Sequence, residues 1–380
     1  MKLRRLVPAT SRFNILPWLL IGAMVSAFVD VNGASEFGSV TPQVEASVGR
    51  GEDAAGGHVA RELSSPSVVT IEGDNYSYSY QVNGIPETIR GVGYNAIYRH
   101  LSDEERAARY DRDFALMRQA GINTISGWGQ DKGYEQDRFD ELLLTKAEQY
   151  GIGVIMPYYL PPDADYTDSE FRQRVAEDAA NVVRHFKDYP AVRMWGLGNE
   201  VFPEITSAEQ AQAFASFLIE LADLVHSIDP NHPVIYRETE DVYVPELSSA
   251  LRADDVRRTW LIYGMNVYTY RIYQILSEWP QQGFDQPVII SEFAPPDLEL
   301  SERPGGYVQM WRALRSYPSL VMGGLAYVWT TEGPEPVDRY YGLVDDNGVA
   351  IDDSYNRLAA EYLREIARGV PRRLVLADSP

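Results

Sequence analysis

Two spacings of apolar residues alternate along the chain from about residue 88 onward. Short, continuous apolar runs such as "GVIMPYYL" and "PVIISEFA" are typical of strands that are buried on both faces. Each run is followed by a longer segment with apolar residues three and four positions apart, which is the spacing of an amphipathic helix. Glycine ends several of these segments, as at Gly121 and Gly151. The pattern predicts helices over residues 103–120, 139–150, 169–186, 207–228, 244–252, 270–279, 306–316 and 354–368.

The number of strand–helix units predicts the fold. Alternating units of this kind form a parallel sheet, and the eight units counted here predict an α/β protein with a closed (β/α)8 TIM barrel. An open, doubly wound sheet is the alternative, but it would more often carry a glycine-rich loop after its first strand, and "RGVGYNAIYRH" does not match G-x-G-x-x-G. Strand-like runs, "VVTIEG" and "YSYSYQVNG", precede the barrel. We therefore expect one domain over residues 67–370, a barrel with a short N-terminal β region.

The N-terminus has the pattern of an export segment. Residues 13–29 carry no charge and are mostly apolar, and small residues follow them. The basic residues ahead of this run are Lys2, Arg4, Arg5 and Arg12. Residues 1–34 are thus predicted to be a signal peptide, or an N-terminal membrane anchor if they are not cleaved. Residues 35–66, rich in Gly, Ser, Ala and Glu, are predicted to be a disordered linker. We expect a secreted, periplasmic or cell-surface protein that contacts a membrane only through an uncleaved N-terminal segment.

Composition narrows the classes of function. The formal net charge of -21 opposes binding to phosphate backbones, so nucleic acid is not an expected partner. The chain has no cysteine, which excludes disulfides, a thiolate nucleophile and cysteine-bound metals. Its five histidines show no metal-binding spacing such as H-E-x-x-H. We expect a monomer that requires neither a metal nor a cofactor.

Two glutamates end strands that lie far apart in the sequence. Glu200 follows the fourth predicted strand, in "VRMWGLGNE", and Glu292 ends the seventh, in "PVIISEFA". In a barrel of this kind the carboxyl ends of all strands form one rim, where active sites lie. Two carboxyl groups across a cleft suit cleavage of a glycosidic bond, in which one acts as a proton donor and the other as a nucleophile or base. The pair therefore predicts a carbohydrate substrate.

The segments around both glutamates resemble a known group of enzymes. "WGLGNEV" and "VIISEFA" are similar to the two signatures of clan A glycoside hydrolases, which are retaining (β/α)8-barrel enzymes that include families 2 and 5. "YQVNGIPETIRGVGYN", "LMRQAGINTI" and "HFKDYPAVRMWGLGNE" resemble the family 2 barrel most, and the likeness runs from about Tyr80 to Arg368. It implies that Glu200 is the acid/base, that Glu292 is the nucleophile and that Asn199 bonds the sugar 2-hydroxyl.

Aromatic residues at strand ends are candidate substrate contacts. The resemblance implies that Tyr268 donates a hydrogen bond to the nucleophile and that Trp329 forms the floor under the reacting sugar. Trp128 and Tyr159 also fall just past strand ends. Because sugar rings stack their C–H faces on aromatic rings, both are expected to bind substrate.

One departure from the family pattern concerns the nucleophile. Many members of the clan have an arginine at the end of strand two, where this chain has Ser126 and Gly127 in "NTISGWG". An arginine beside the nucleophile keeps it ionised. Arg90 on the first strand and Arg237 on the fifth are the candidate replacements.

The combined expectation is a retaining hydrolase that cleaves a β-linked glycan, of the β-glucan or mannan type, by double displacement. Glu200 is expected to hold a proton, with a pKa raised by apolar surroundings or by the charge of Glu292, whereas Glu292 is expected to be ionised. Two alternatives stay open. One is a transglycosylase that uses the same two glutamates, and the other is a non-catalytic carbohydrate-binding barrel.

Overall fold

The computed structural model describes residues 65–95, 101–128, 139–254, 256–296, 299, 301–331 and 341–369. The predicted export segment, residues 1–34, lies outside the described residues, as does nearly all of the predicted linker, residues 35–66. Both assignments stay predictions.

A small antiparallel sheet forms the N-terminal part of the described chain. Its strands are β1 (Val69–Asp74), β2 (Ser77–Val82) and β3 (Ile85–Pro86). Alternate residues of β2 are buried and pack into the apolar cluster that fills the amino-terminal end of the barrel. The backbone is tied there as well, because Tyr78 N–H donates to the carbonyl of Ser319 at 2.7 Å. The predicted β region therefore closes the end of the barrel opposite the carboxyl ends of its strands.

Eight parallel strands close into the barrel itself, so the predicted fold is confirmed. These strands are β4 (Ile89–Gly93), β5 (Thr124–Ser126), β6 (Gly153–Tyr158), β7 (Val192–Asn199), β8 (Val234–Thr239), β9 (Leu261–Val267), β10 (Val288–Phe293) and β11 (Val321–Ala326). Each strand pairs with the next one along the chain, and β11 pairs with β4 to complete the ring. The glutamates at the carboxyl ends of the fourth and seventh barrel strands therefore lie at one rim.

Helices separate the strands as the apolar spacing predicts. The α-helices of the described chain are α1 (Asp103–Gln119), α2 (Glu141–Tyr150), α3 (Ser169–Phe186), α4 (Ala208–Ile228), α5 (Val244–Leu251), α6 (Ile272–Glu278), α7 (Arg303–Arg315) and α8 (Ser354–Gly369). Within the described residues, α4 has the length and apolar composition of a membrane span. Its apolar side chains, such as Phe214, Leu218 and Leu221, are buried against the barrel and its neighbouring helices, so α4 is a core helix here.

Candidate active site

Asn266 connects the two glutamates at the carboxyl end of the barrel. Glu200 directly follows β7, and Glu292 lies on β10 opposite Asn266 of β9 in the strand register. The Asn266 side chain donates to Glu200 Oε1 at 3.0 Å and to Asn199 Oδ1 at 3.1 Å. Its own Oδ1 accepts from the hydroxyl of Ser291 at 2.7 Å. A buried amide with all of these partners has one fixed orientation, so it sets the position of Glu200 relative to β10.

Both carboxylate oxygens of Glu292 accept hydrogen bonds. Trp128 Nε1 donates to Oε1 at 2.5 Å, and the hydroxyl of Tyr268 donates to Oε2. The Tyr268 contact is the one that the resemblance implied. An indole N–H can only donate, and a carboxylate that accepts at both oxygens is arranged for its ionised form. Glu292 is thus oriented by two donors that favour its ionised form, which is the form that a nucleophile requires.

Burial acts against this ionisation. Removal from water, followed by the charge of Glu200, raises the pKa of Glu292 above its ordinary range. The hydrogen bonds from Tyr268 and Trp128 and the charge of Arg237 lower it again. These neighbours offset the burial penalty only in part, so the pKa of Glu292, which was expected to ionise readily, stays above its ordinary range.

Glu200 lies in a strained turn. Its backbone φ is 47°, and that of Gly198, two residues earlier, is 68°. A left-handed conformation at a residue other than glycine costs on the order of 1–2 kcal/mol, so it persists where the surroundings hold it. Here Glu200 N–H donates to the carbonyl of Arg237 at 3.0 Å, and Phe202 N–H donates to Glu238 Oε2 at 3.3 Å. The turn directs the chain away from β7 immediately after Asn199.

Four partly exposed rings form one contiguous set, of which Trp128 and Tyr268 bond Glu292. We call this set the aromatic wall: Trp128, Tyr268, Tyr327 and Tyr341. The Tyr327 ring centroid lies 5.4 Å from Trp128, 5.7 Å from Tyr268 and 5.3 Å from Tyr341. The rings meet edge to face, and each residue keeps part of its surface exposed. Exposed ring surface suits the apolar face of a sugar.

Most of the barrel sequence matches the model of one protein family. The model described as "Glycosyl hydrolases family 2, TIM barrel domain" matches residues 79–333. The chain belongs to glycosyl hydrolase family 2. The matched segment contains both glutamates, Asn266 and Tyr327, but it ends before Tyr341.

Solved structures share the family 2 barrel. The chain is 17% identical to a Bacteroides uniformis β-glucuronidase, with a TM-score of 0.61, over 77% of this chain and 37% of that one. A Ruminococcus gnavus β-glucuronidase in complex with D-glucuronic acid is 16% identical, with a TM-score of 0.60, over 78% and 52%. An Eisenbergiella tayi β-galacturonidase bound to galacturonate is 17% identical, with a TM-score of 0.59, over 78% and 54%. This likeness shows the fold, and the chain spans only about half or less of each of these proteins.

Trp329 does not lie where the family 2 resemblance implied. Its side chain is fully buried, its backbone N–H donates to the carbonyl of Gly93 at 2.8 Å, and its ring packs on Tyr355 of α8 at 5.9 Å. A ring without exposed surface cannot form the floor under a sugar. Tyr327, two residues earlier, is partly exposed and belongs to the aromatic wall. Tyr327 therefore replaces Trp329 as the candidate floor.

The other two predicted aromatic contacts differ in position. Trp128 belongs to the aromatic wall and binds Glu292 directly. Tyr159 follows β6, is half-buried and lies near Tyr166. Trp128 is thus part of the candidate site, whereas substrate binding by Tyr159 stays a prediction.

Arg237 occupies the place of the missing strand-two arginine. Its guanidinium is buried and contacts the Ser126 hydroxyl at 3.2 Å and the Gly127 carbonyl, the two positions where the family pattern has arginine. Arg90 instead bonds the carbonyls of Gly121 and Thr88, beside the start of β4 and away from the rim. The fifth strand therefore supplies the cation that the second strand lacks.

A third buried carboxyl group, that of Glu238, supports the turn after Glu200. Glu238 accepts from the Tyr236 hydroxyl at 2.5 Å, from Thr239 N–H at 2.7 Å and from Phe202 N–H at 3.3 Å. Burial raises the pKa of Glu238 to about 7, and the charge of Glu200 adds to this rise. The sequence placed Glu238 near the rim and favoured a solvated acid, whereas its side chain is buried. Sequence patterns did not single out Asn266, Tyr327 or Tyr341. For Asn266 a signal exists, because an amide inside the apolar run "GMNVY" is unusual for a barrel strand.

We expect Glu238 to make folding stability depend on pH. A folded-state pKa of about 7 exceeds the unfolded value of 4.5, so the native state holds the extra proton between these values. Stability contributed by Glu238 is therefore complete below about pH 4.5 and falls by about 3 kcal/mol as the pH rises past 7. Denaturant unfolding from pH 4.5 to 8 should show a fall that is about 3 kcal/mol smaller in Glu238→Gln than in the wild type, because the raised pKa of Glu292 adds its own fall to both curves. The exposed Glu204→Gln is the control, and parallel curves for wild type and Glu238→Gln would contradict the assignment.

Proposed function

We propose that the protein is a retaining glycoside hydrolase that cleaves β-glycosidic bonds. The observation that carries the proposal is the arrangement of Glu292, whose two oxygens are oriented by Trp128 and Tyr268 on the rim that also holds Glu200. Glu292 is buried close to a second carboxyl group, and it accepts hydrogen bonds from two aromatic side chains. This is the environment of a reacting group.

In the first step, a Glu292 oxygen attacks the anomeric carbon of a sugar that lies on the aromatic wall. The bond from that carbon to the glycosidic oxygen breaks, and its electron pair stays on the oxygen. Glu200 transfers its proton to this oxygen, so the leaving group departs as an alcohol. The Tyr268 and Trp128 donors orient the attacking carboxylate, and Asn199 is the candidate donor to the sugar 2-hydroxyl.

In the second step, water attacks the glycosyl ester from the side that the leaving group vacated. Glu200, now ionised, takes a proton from that water, and the ester bond electrons return to Glu292. Two inversions give net retention, and the enzyme recovers its starting protonation. The residues of the chain and water complete both steps.

We propose a neutral β-linked glycan, of the β-glucan or mannan type, as the substrate. The described rim carries the carboxyl groups of Glu200, Glu240 and Glu292, and the exposed guanidinium of Arg271, just past β9, is held by Glu240 at 2.8 Å. Like charges placed together cost several kcal/mol, so an acidic sugar is disfavoured by this lining. Uronides are the second candidate, because the family 2 neighbours with known ligands bind glucuronic or galacturonic acid.

A panel of p-nitrophenyl β-glycosides tests the proposal. We expect kcat/KM to be at least about 10-fold higher for the glucoside, mannoside or galactoside than for the glucuronide and galacturonide. For the preferred sugar, proton NMR of the first product should show the β anomer. A preference for uronides would overturn the neutral substrate, and an α anomer would overturn retention. Products longer than the substrate would identify a transglycosylase, and no turnover of any glycan would favour the non-catalytic barrel.

A further inference from the structure

We infer that Arg237 is a positioning residue that holds both halves of the active site, namely the turn that carries Glu200 and the segment that carries Trp128. The inference rests on the proposed function of the two glutamates. It concerns how one side chain of β8 fixes the position of Glu200 relative to Glu292.

Arg237 contacts both ends of the turn at Glu200. Its Nε donates to the carbonyl of Gly198 at 3.2 Å, and its own carbonyl accepts the N–H of Glu200 at 3.0 Å. Asn199, between these residues, is opposite Arg237 in the β7–β8 register. Glycine adopts a left-handed backbone without strain, but Glu200 does not, so the turn requires external support at Glu200. Arg237 supplies it through its side chain and its main chain.

The other end of the same guanidinium reaches the segment that carries Trp128. Arg237 Nη1 donates to Ser126 Oγ at 3.2 Å and to the carbonyl of Gly127. Gly127 directly precedes Trp128, whose indole donates to Glu292 at 2.5 Å. The planar fork of arginine can satisfy separated acceptors at fixed angles, which the single ammonium of lysine cannot do. Arg237 thereby links the Glu200 turn to a ligand of Glu292.

The barrel interior is built to accept this side chain. Gly264 of β9 is opposite Arg237 in the strand register, and a Cβ there would come within 2.9 Å of Arg237 Cγ. The guanidinium is buried, where charges are weakly screened. The ionisable and charged groups that act on Glu292 are Glu200 after β7, Tyr268 after β9 and Arg237 itself. Arg237 is the cation of this set, and it lowers the pKa of Glu292.

Arg237→Lys and Arg237→Gln separate the two effects. Both variants lose the planar guanidinium that reaches several acceptors at once. We therefore expect kcat on the best aryl glycoside to fall about 100-fold, with a much smaller change in KM, because a small displacement of the reacting groups lowers the rate by about this factor. Only Arg237→Gln loses the charge. The acid limb of its kcat/KM profile should therefore move about one pH unit higher, since the pKa of Glu292 rises, whereas the limb of Arg237→Lys stays in place.

Arg258→Lys is the matched control. Arg258 is also buried, but it pairs with Asp223 and Asp254 near the start of β9, at the other end of the barrel. If Arg237→Lys keeps kcat within about threefold of Arg258→Lys at an equal folded fraction, the inference fails. If neither Arg237 variant folds, Ser126→Ala removes one contact only, and an unchanged kcat there counts against the inference. Full activity in the alanine variants of Glu200 and Glu292 would instead overturn the proposed function.

Discussion

Glu292→Ala is expected to lose at least about 10⁴-fold in kcat on every substrate, because no other described group can form the glycosyl ester. Its hydrogen-bond donors, Trp128 and Tyr268, remain and mark out an anion-sized space beside the sugar. Azide that enters this space should restore turnover and give the α-glycosyl azide, with inverted configuration. Rates and product configuration are measured with an activated aryl β-glycoside and NMR.

Glu204→Ala is the control for this variant, because Glu204 is exposed in the short helical turn Phe202–Glu204 that follows Glu200. It should retain wild-type rates and show no response to azide. A Glu292→Ala protein that is folded and active would mean that the buried carboxylate is structural. A β-glycosyl azide from this variant would mean that Glu292 is the acid/base, so the two roles would be exchanged.

Glu200→Ala is expected to show an effect that depends on the leaving group. A dinitrophenyl glycoside needs no proton to depart, so its first step should be nearly unaffected, whereas a glycoside with a poor leaving group should lose about 10²–10⁴-fold. Without a base the second step stalls, which predicts a burst of one dinitrophenolate per enzyme. Azide needs no base, and it should relieve the stall with retained configuration, as the β-glycosyl azide.

The burst separates this prediction from a general loss of structure. An unfolded or mispositioned variant would lower the burst amplitude, whereas a missing base lowers only the steady rate that follows it. Equal losses on good and poor leaving groups, without a burst, would contradict the acid/base role of Glu200. If neither glutamate variant loses activity, the enzyme interpretation fails altogether.

The sequence by itself determined the barrel and the rim that carries the site. Apolar spacing is a local property, so each strand–helix unit could be recognised from its own residues, and eight such units close in chain order. The positions of Glu200 and Glu292 follow from the same pattern, because a residue at the end of a parallel strand must lie at the common rim. The first residues of the helices were predicted less accurately than the helices themselves. Helix α7 begins at Arg303 rather than Gly306, because Pro304 fits a first helical turn although the following glycines resemble a break.

Only the tertiary structure decided which side chains complete the site. Tyr327 and Trp329 are equally plausible in "AYVWT", and their roles separate because Trp329 is tied to Gly93 of β4 and buried against α8. Arg237 and Ser126 are 111 residues apart, and no spacing in the chain indicates that one guanidinium reaches the other strand. Asn266 likewise acquires its function only beside Glu200. Local patterns specify which elements form, whereas contacts across a closed barrel depend on how strands distant in the sequence are brought side by side.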